Sequence, residues 1–237
     1  MLKVESISKK INGRVILDNV SFDVNFGKIC GLLGPNGAGK TSSFYAIAGL
    51  VRSDNGCISL SDENITNMPV HKRSKLGIKY LPQEPSIFQN LTVSENLIGM
   101  AELNFNKKKD IKDFVEKSIE EFALKDICDL KGRQLSGGQR RKVEIARTLA
   151  SNPKIILLDE PFAGIDPIAI EDIKEVLKSL KSKKIGILIT DHNVRETLEL
   201  CDNAAIINDG KIIALGTKED LISNQIVKEV YLGNMYS

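Results

Sequence analysis

The stretch Gly34-Pro35-Asn36-Gly37-Ala38-Gly39-Lys40-Thr41 constrains this chain more than any other. It follows the apolar run Ile29-Cys30-Gly31-Leu32-Leu33 and precedes Ser42-Ser43-Phe44-Tyr45-Ala46-Ile47-Ala48, which reads as a helix ending near Gly49. Strand, glycine loop and helix start stand in the order that a phosphate-binding loop requires, and a chance glycine-rich turn would lack that setting. Gly34, Gly37 and Gly39 let the backbone turn its N–H groups inward at a polyanion, and the helix N-terminus adds unpaired donors and the positive end of its dipole. Lys40 is placed to reach terminal phosphates and the Thr41 hydroxyl to ligate Mg²⁺.

The segments around this loop alternate strand and helix signals. Before it, Leu2, Val4 and Ile7, then Val15 to Leu17, then Val20, Phe22 and Val24 read as short antiparallel strands, with a hairpin turn at Asn12-Gly13. Gly56 to Leu60 with Ile65 reads as a further hairpin, and Gly77 to Leu81 as a strand stopped by Pro82. Thr92-Val93-Ser94-Glu95 has the capping-box form. Ile111, Phe114, Val115, Ile119 and Phe122 then recur at helical spacing, so residues of about 92–135 form a helical insert. The polar run Asn104 to Asp110 inside it, with Lys107, Lys108 and Lys109, reads as a solvated loop rather than a nucleic-acid patch. From 136 the pattern returns: helices at about 137–150, 168–181 and 193–200, strands at 155–158, 185–189, 204–208 and 211–215, and two terminal helical pieces. Strands alternating with helices imply an α/β fold with a mainly parallel sheet covered on both faces. The expected organisation is one domain, with a core of 1–91 and 136–222, the insert, and a helical tail at 223–237.

Composition excludes several classes. Lys plus Arg number 33 against 31 Asp plus Glu, a net +2, so no general basic field argues for nucleic acid as partner. Cys30, Cys57, Cys128 and Cys201 are scattered without a Cys-x-x-Cys pair, which suits a reducing compartment and argues against a zinc site. The start Met1-Leu2-Lys3-Val4-Glu5 lacks the apolar core of a signal peptide. No apolar run approaches the ~20 residues of a membrane-spanning helix, so at a membrane another chain would supply the membrane part.

Two further stretches carry chemistry. Ile155-Ile156-Leu157-Leu158 ends in Asp159-Glu160, and in parallel sheets ligands sit beyond the carboxyl ends of the strands. Consecutive side chains at a strand end point apart, so the two acids take different tasks. Asp159 is suited to hold Mg²⁺ through water, and Glu160 to face an attacking water as general base. Leu135-Ser136-Gly137-Gly138-Gln139 opens a helix with Ser136 as N-cap and two glycines that leave backbone donors accessible. Arg140, Arg141 and Lys142 follow in the first turn, where the dipole disfavours cations; they either meet an anion or reach solvent and acidic neighbours.

The glycine loop, Leu135 to Gln139, and Leu158-Asp159-Glu160-Pro161 together resemble the nucleotide-binding subunits of ABC transporters, over nearly the whole chain. The resemblance implies a P-loop NTPase core with an N-terminal antiparallel β subdomain and a helical subdomain, binding ATP and Mg²⁺. It also implies a head-to-tail homodimer, each ATP lying between Gly34, Pro35, Asn36, Gly37, Ala38, Gly39, Lys40, Thr41 and Ser42 of one subunit and Leu135, Ser136, Gly137, Gly138 and Gln139 of the other. By the same likeness Gln83 contacts Mg²⁺ and water, His192 contacts the γ-phosphate, and Asp166 in Ala163-Gly164-Ile165-Asp166 touches the partner subunit. One position departs: Ile11 stands where an aromatic residue usually stacks on adenine, offering apolar contact only.

Within the family, Tyr80 to Glu84 with Ser86-Ile87-Phe88, Pro161 to Pro167, Thr190 to Leu198 and Val230 to Gly233 resemble the lipopolysaccharide-export branch. The branched-chain amino-acid importers are the neighbouring branch, and a soluble ABC-type ATPase the more distant reading. The export branch implies integral membrane partner subunits, a peripheral place on the cytoplasmic face of the inner membrane, and no direct contact with cargo. Ile87 and Phe88 lie where the family docks its membrane subunits; they either line a partner groove or plug the base of the helical insert.

Overall fold

The computed structural model describes residues 1–233, and the last four residues of the expected tail lie outside them. These residues divide into two compact units: one of Met1–Tyr80, Lys154–Pro161 and the chain from Leu180, the other of Leu81–Pro153 and Phe162–Ser179. The second unit is larger than the expected 92–135 insert, because it also holds the helix opened by Ser136 and most of the helix that follows Asp166.

The first unit carries two sheets. The strands β1 (Leu2–Ile11), β2 (Arg14–Val24), β4 (Asn55–Leu60) and β5 (Glu63–Asn64) form an antiparallel sheet in the order β2-β1-β4-β5. Leu2, Val4 and Ile7 are buried, a spacing that slips by one because Ser6 adopts a positive φ of 52° at a bulge. Asn19, with φ 58°, does the same for β2, so the two expected short strands there are one bulged strand.

The second sheet has the order β10-β9-β3-β8-β7-β6, from β3 (Ile29–Leu33), β6 (Ile78–Leu81), β7 (Ile155–Asp159), β8 (Gly186–Thr190), β9 (Asn203–Asn208) and β10 (Lys211–Gly216). β3 pairs in parallel with β8 and β9, and β7 with β8, whereas β10 is antiparallel to β9. Every residue of β3, β7 and β8 is buried, which is why these strands read as continuous apolar runs rather than alternating ones. Helix α1 (Lys40–Ala48) contributes Phe44 and Ile47 to a core shared with Leu2, Val4, Leu32, Leu157 and Leu188.

The short helix α2 (Val70–Leu76) is not legible in the sequence: its seven residues are mostly polar and show no apolar stripe. Tertiary structure explains it. Arg73 is buried and donates to the carbonyls of Ala46 and Ile47 at 2.6 and 2.7 Å, and to those of Thr66 and Met68. It thereby satisfies the free carbonyls at the end of α1 and complements that end of the dipole. Burial lowers its pKa to about 10.

In the second unit α3 (Val93–Glu102) begins with the expected capping box, Thr92 accepting from Glu95 N and Glu95 from Thr92 N. Helix α4 (Lys108–Glu121) starts earlier than expected: Lys108 and Lys109 belong to its first turn, so the expected polar loop is shorter. Helices α5 (Gly137–Leu149) and α6 (Pro167–Ser182) follow. The first unit closes with α7 (Val194–Leu200), α8 (Lys218–Ser223) and two short turns, Gln225–Val227 and Lys228–Leu232. Among the described residues no helix is long and apolar enough to cross a membrane.

Candidate active site

The glycine loop leaves the end of β3 and delivers Lys40 to the first turn of α1. Gly34, at φ 157°, has no room for a side chain: a Cβ there would lie 2.0 Å from the Ile207 carbonyl oxygen of β9. Gly39, at φ 110°, sits against Leu17 and Ile16 of β2. The loop is thus pressed between the two sheets' strands, and only glycine allows that approach. Lys40 is buried, and its Nζ donates to the carbonyls of Gly34 and Pro35 at 2.8 and 2.9 Å. Burial lowers the Lys40 pKa, opposed by the carboxylates of Glu160 and Asp159.

A cavity of about 550 Å³ opens on this loop. Asn36, Gly37, Gly39, Lys40, Thr41 and Ser42 line one side of it, with Glu160 and His192. The two adjacent acids diverge as their strand-end position requires. Asp159 is buried, and its Oδ2 accepts from the Tyr80 hydroxyl of β6 at 3.0 Å. Glu160 leaves β7 in a left-handed conformation, φ 46°, and its Oε1 lies 2.6 Å from His192 Nε2. A non-glycine residue in that region stores backbone strain of the kind that collects at reactive sites. The Glu160 side chain is 14% exposed and that of His192 53%, so the pair is reachable from solvent. Asp191, buried beside His192, accepts from Asn193 N at 2.9 Å, and Asn193 caps α7, which fixes the start of that helix.

The remaining wall carries no mark in the sequence. Arg14, Val15 and Ile16 line the cavity, as do Asp209 and Gly210. Asp209-Gly210 is a recognisable hairpin dipeptide between β9 and β10, with φ 45° and 76°. No local signal, however, tells that Gly210 N donates to Ala38 O of the glycine loop while Gly210 O accepts from Asp18 N of β2. Ile11, expected on the adenine side, is exposed at the end of β1 opposite Arg14 and is not among the lining residues.

The other sequence candidates belong to the second unit. Ser136 caps α5 in a full capping box with Gln139, and Leu135 is buried beneath it. Gly138 has a packing reason of its own, since a Cβ would lie 2.4 Å from that of Ala169 in α6; Gly137 is exposed. The basic triplet finds protein partners rather than an anion. Arg141 donates to the Pro82 carbonyl and pairs with Glu144, Lys142 pairs with Asp172, and Arg140 donates to the Leu135 carbonyl. Asp166 accepts from Ala169 N at 3.0 Å and so starts α6 ahead of Pro167.

Gln83 is exposed on the segment after β6. That segment is clamped by side chains that no sequence motif marks. Glu144 accepts from Ser86 N at 2.6 Å, and Arg147 donates to Ser86 O and to Asn96 Oδ1, both at 3.1 Å. Buried Asn96 also exchanges hydrogen bonds with both backbone groups of Phe88. Ile87 and Phe88 therefore part company: Ile87 is 5% exposed and plugs the insert, whereas Phe88 is 51% exposed with Arg147 above its ring at 4.9 Å. Of the expected partner groove, Ile87 is withdrawn by burial.

The donor set suits Mg²⁺. Asp159 and the Thr41 hydroxyl are hard oxygen donors, the ligand type that Mg²⁺ takes from a protein beside phosphate oxygens and water.

A strained glycine loop, a buried lysine and a carboxylate–histidine pair around one cavity define a P-loop nucleoside triphosphatase. The family described as ABC transporter matches residues 17–163, and the chain belongs to it. The lipopolysaccharide export system ATP-binding protein LptB of Haemophilus influenzae is 50% identical over 241 residues, covering 100% of this chain and 98% of that protein. LptB of Escherichia coli (strain K12) is 48% identical over 233 residues, with 98% and 97% covered. Among solved structures, the ADP conformation of an ATP-binding cassette of an ABC transporter superposes with a TM-score of 0.87 at 33% identity, covering 98% of each chain. The protein is an ABC ATPase.

Proposed function

We propose that this ATPase powers lipopolysaccharide export, as a homodimer on the cytoplasmic face of the inner membrane beneath integral membrane subunits. The observation that carries the hydrolytic part is the Glu160–His192 contact of 2.6 Å on a cavity that also presents Lys40 and Thr41. The cargo assignment draws its support from full-length likeness to LptB at 50% and 48% identity.

The loop N–H groups and Lys40 hold the ATP phosphates. Thr41, Asp159 through water, and Gln83 would hold Mg²⁺, which neutralises phosphate charge when bound. Glu160 accepts the proton of the attacking water, and His192, 2.6 Å from that carboxylate, contacts the γ-phosphate. Ser136 to Gln139 serve the nucleotide of the partner subunit, with Asp166 at the same interface. Phe88 offers an exposed aromatic face to the membrane subunits.

Replacing Glu160 by Gln removes the base and keeps the shape. We expect turnover to fall at least ~100-fold with ATP affinity within a few-fold of the parent, and a closed dimer to accumulate on gel filtration. Parent-like hydrolysis would remove Glu160 from this role. Purification from membranes distinguishes the cargo: lipopolysaccharide co-eluting with the partner subunits supports export, and amino-acid importer permeases overturn it without touching the ATPase assignment.

A further inference from the structure

Tyr80 is set apart from its surroundings by chemistry. It lies on β6, the edge strand beside β7, and its ring packs against the hydrophobic core that holds Phe44 and Ile47 of α1. Its edge meets Phe44 at 6.5 Å and 68°, and Tyr45 at 6.0 Å and 88°. Both rings belong to α1, the helix whose first residues are Lys40 and Thr41. Its hydroxyl reaches Asp159 Oδ2 at 3.0 Å.

The terminal torsion of an aspartate is broad and soft, so a carboxylate meant for one direction needs an external anchor. A hydroxyl donating to a charged acceptor is a strong anchor, and the edge-to-face contacts with Phe44 and Tyr45 hold the ring that carries it. The bracing residues sit on the phosphate-loop helix, so carboxylate and loop share one support.

We propose that Tyr80 is a positioning residue for Asp159, its hydroxyl holding the carboxylate in the orientation from which it serves the metal–nucleotide complex. The proposal rests on the reading of Asp159 as the metal-side acid. Tyr80 is not among the residues lining the cavity; it acts through Asp159.

The test is Tyr80→Phe, which removes one oxygen and keeps the ring packing. Binding of a fluorescent ATP analogue to the purified protein is measured in EDTA and over a Mg²⁺ titration. In EDTA the affinity stays within twofold of the parent. The Mg²⁺ concentration for half-saturation rises about fivefold, in keeping with loss of one hydrogen bond to a charged group. Asp159→Asn and the double variant share one Mg²⁺ curve. A parent-like Mg²⁺ curve for Tyr80→Phe, an equal loss with and without Mg²⁺, or a further shift on top of Asp159→Asn each overturns the proposal. A parent protein indifferent to Mg²⁺ would overturn the reading of Asp159 instead.

Discussion

The phosphate loop at 34–41 and the segment at 82–91 are both irregular backbone, and they are held in opposite ways. The loop is held by steric fit: Gly34 and Gly39 lie so close to β9 and β2 that a single carbon would collide, and Gly210 ties the loop to β2 through main-chain hydrogen bonds. The segment after β6 is held by long polar side chains from α3 and α5. Asn96, Glu144 and Arg147 reach its N–H and C=O groups, and Arg141 holds the Pro82 carbonyl. A loop that must keep one shape around a polyanion gains from rigid contact. A segment held through side chains can be re-aimed by moving the helix that bears them.

The contrast is broken most severely by Gly34→Ala. With Ile207 O only 2.0 Å from the new Cβ, the β9 backbone must yield. We expect a loss of about 3 kcal/mol or more in urea unfolding, together with loss of ATP binding. An unchanged midpoint would mean that the loop is not sterically held. Arg147→Met tests the other side. It deletes donors to Ser86 and Asn96 and the cation above Phe88, and leaves the buried Asn96 Oδ1 with one donor fewer. We expect about 2 kcal/mol of lost stability, with nucleotide affinity in EDTA unchanged. A fall in that affinity as large as the fall in stability would show the two regions to be one device. The smallest expected effect is Thr92→Ala, which removes the cap of α3 and with it about 1 kcal/mol. Heat-induced unfolding followed by circular dichroism would register it as a small downward shift in Tm. No shift would mean that Asn96, not the cap, fixes the start of α3.

Much of the fold and the site is legible in the residues alone. The phosphate loop, the strand ending in Asp159-Glu160 and the capped starts of α3 and α5 are local features, each set by residues within a few positions of one another. What the residues alone leave unmarked depends on distant partners. Helix α2 exists around Arg73, whose acceptors lie 5 to 27 positions away in the chain. Arg14, Val15, Ile16, Asp209 and Gly210 carry no motif between them that names a cavity wall. The basic triplet Arg140 to Lys142 breaks a local dipole rule and invites an anion, yet its charges are spent on Pro82, Glu144, Asp172 and Leu135. Ile87 and Phe88, neighbours with equal apolar character, are separated only by burial.

By itself, then, the sequence marked a glycine loop of the phosphate-binding pattern at 34–41 and set two acids at one strand end pointing apart. Glycines at turns, apolar periods and helix caps act within a few residues, and their energetics survive any later packing. The tertiary structure decided which acid meets which partner, Asp159 with Tyr80 and Glu160 with His192, and which charged side chains serve the fold rather than the ligand. Those outcomes depend on contacts between residues up to 79 positions apart, which no local pattern encodes because each strand end is read without its neighbours.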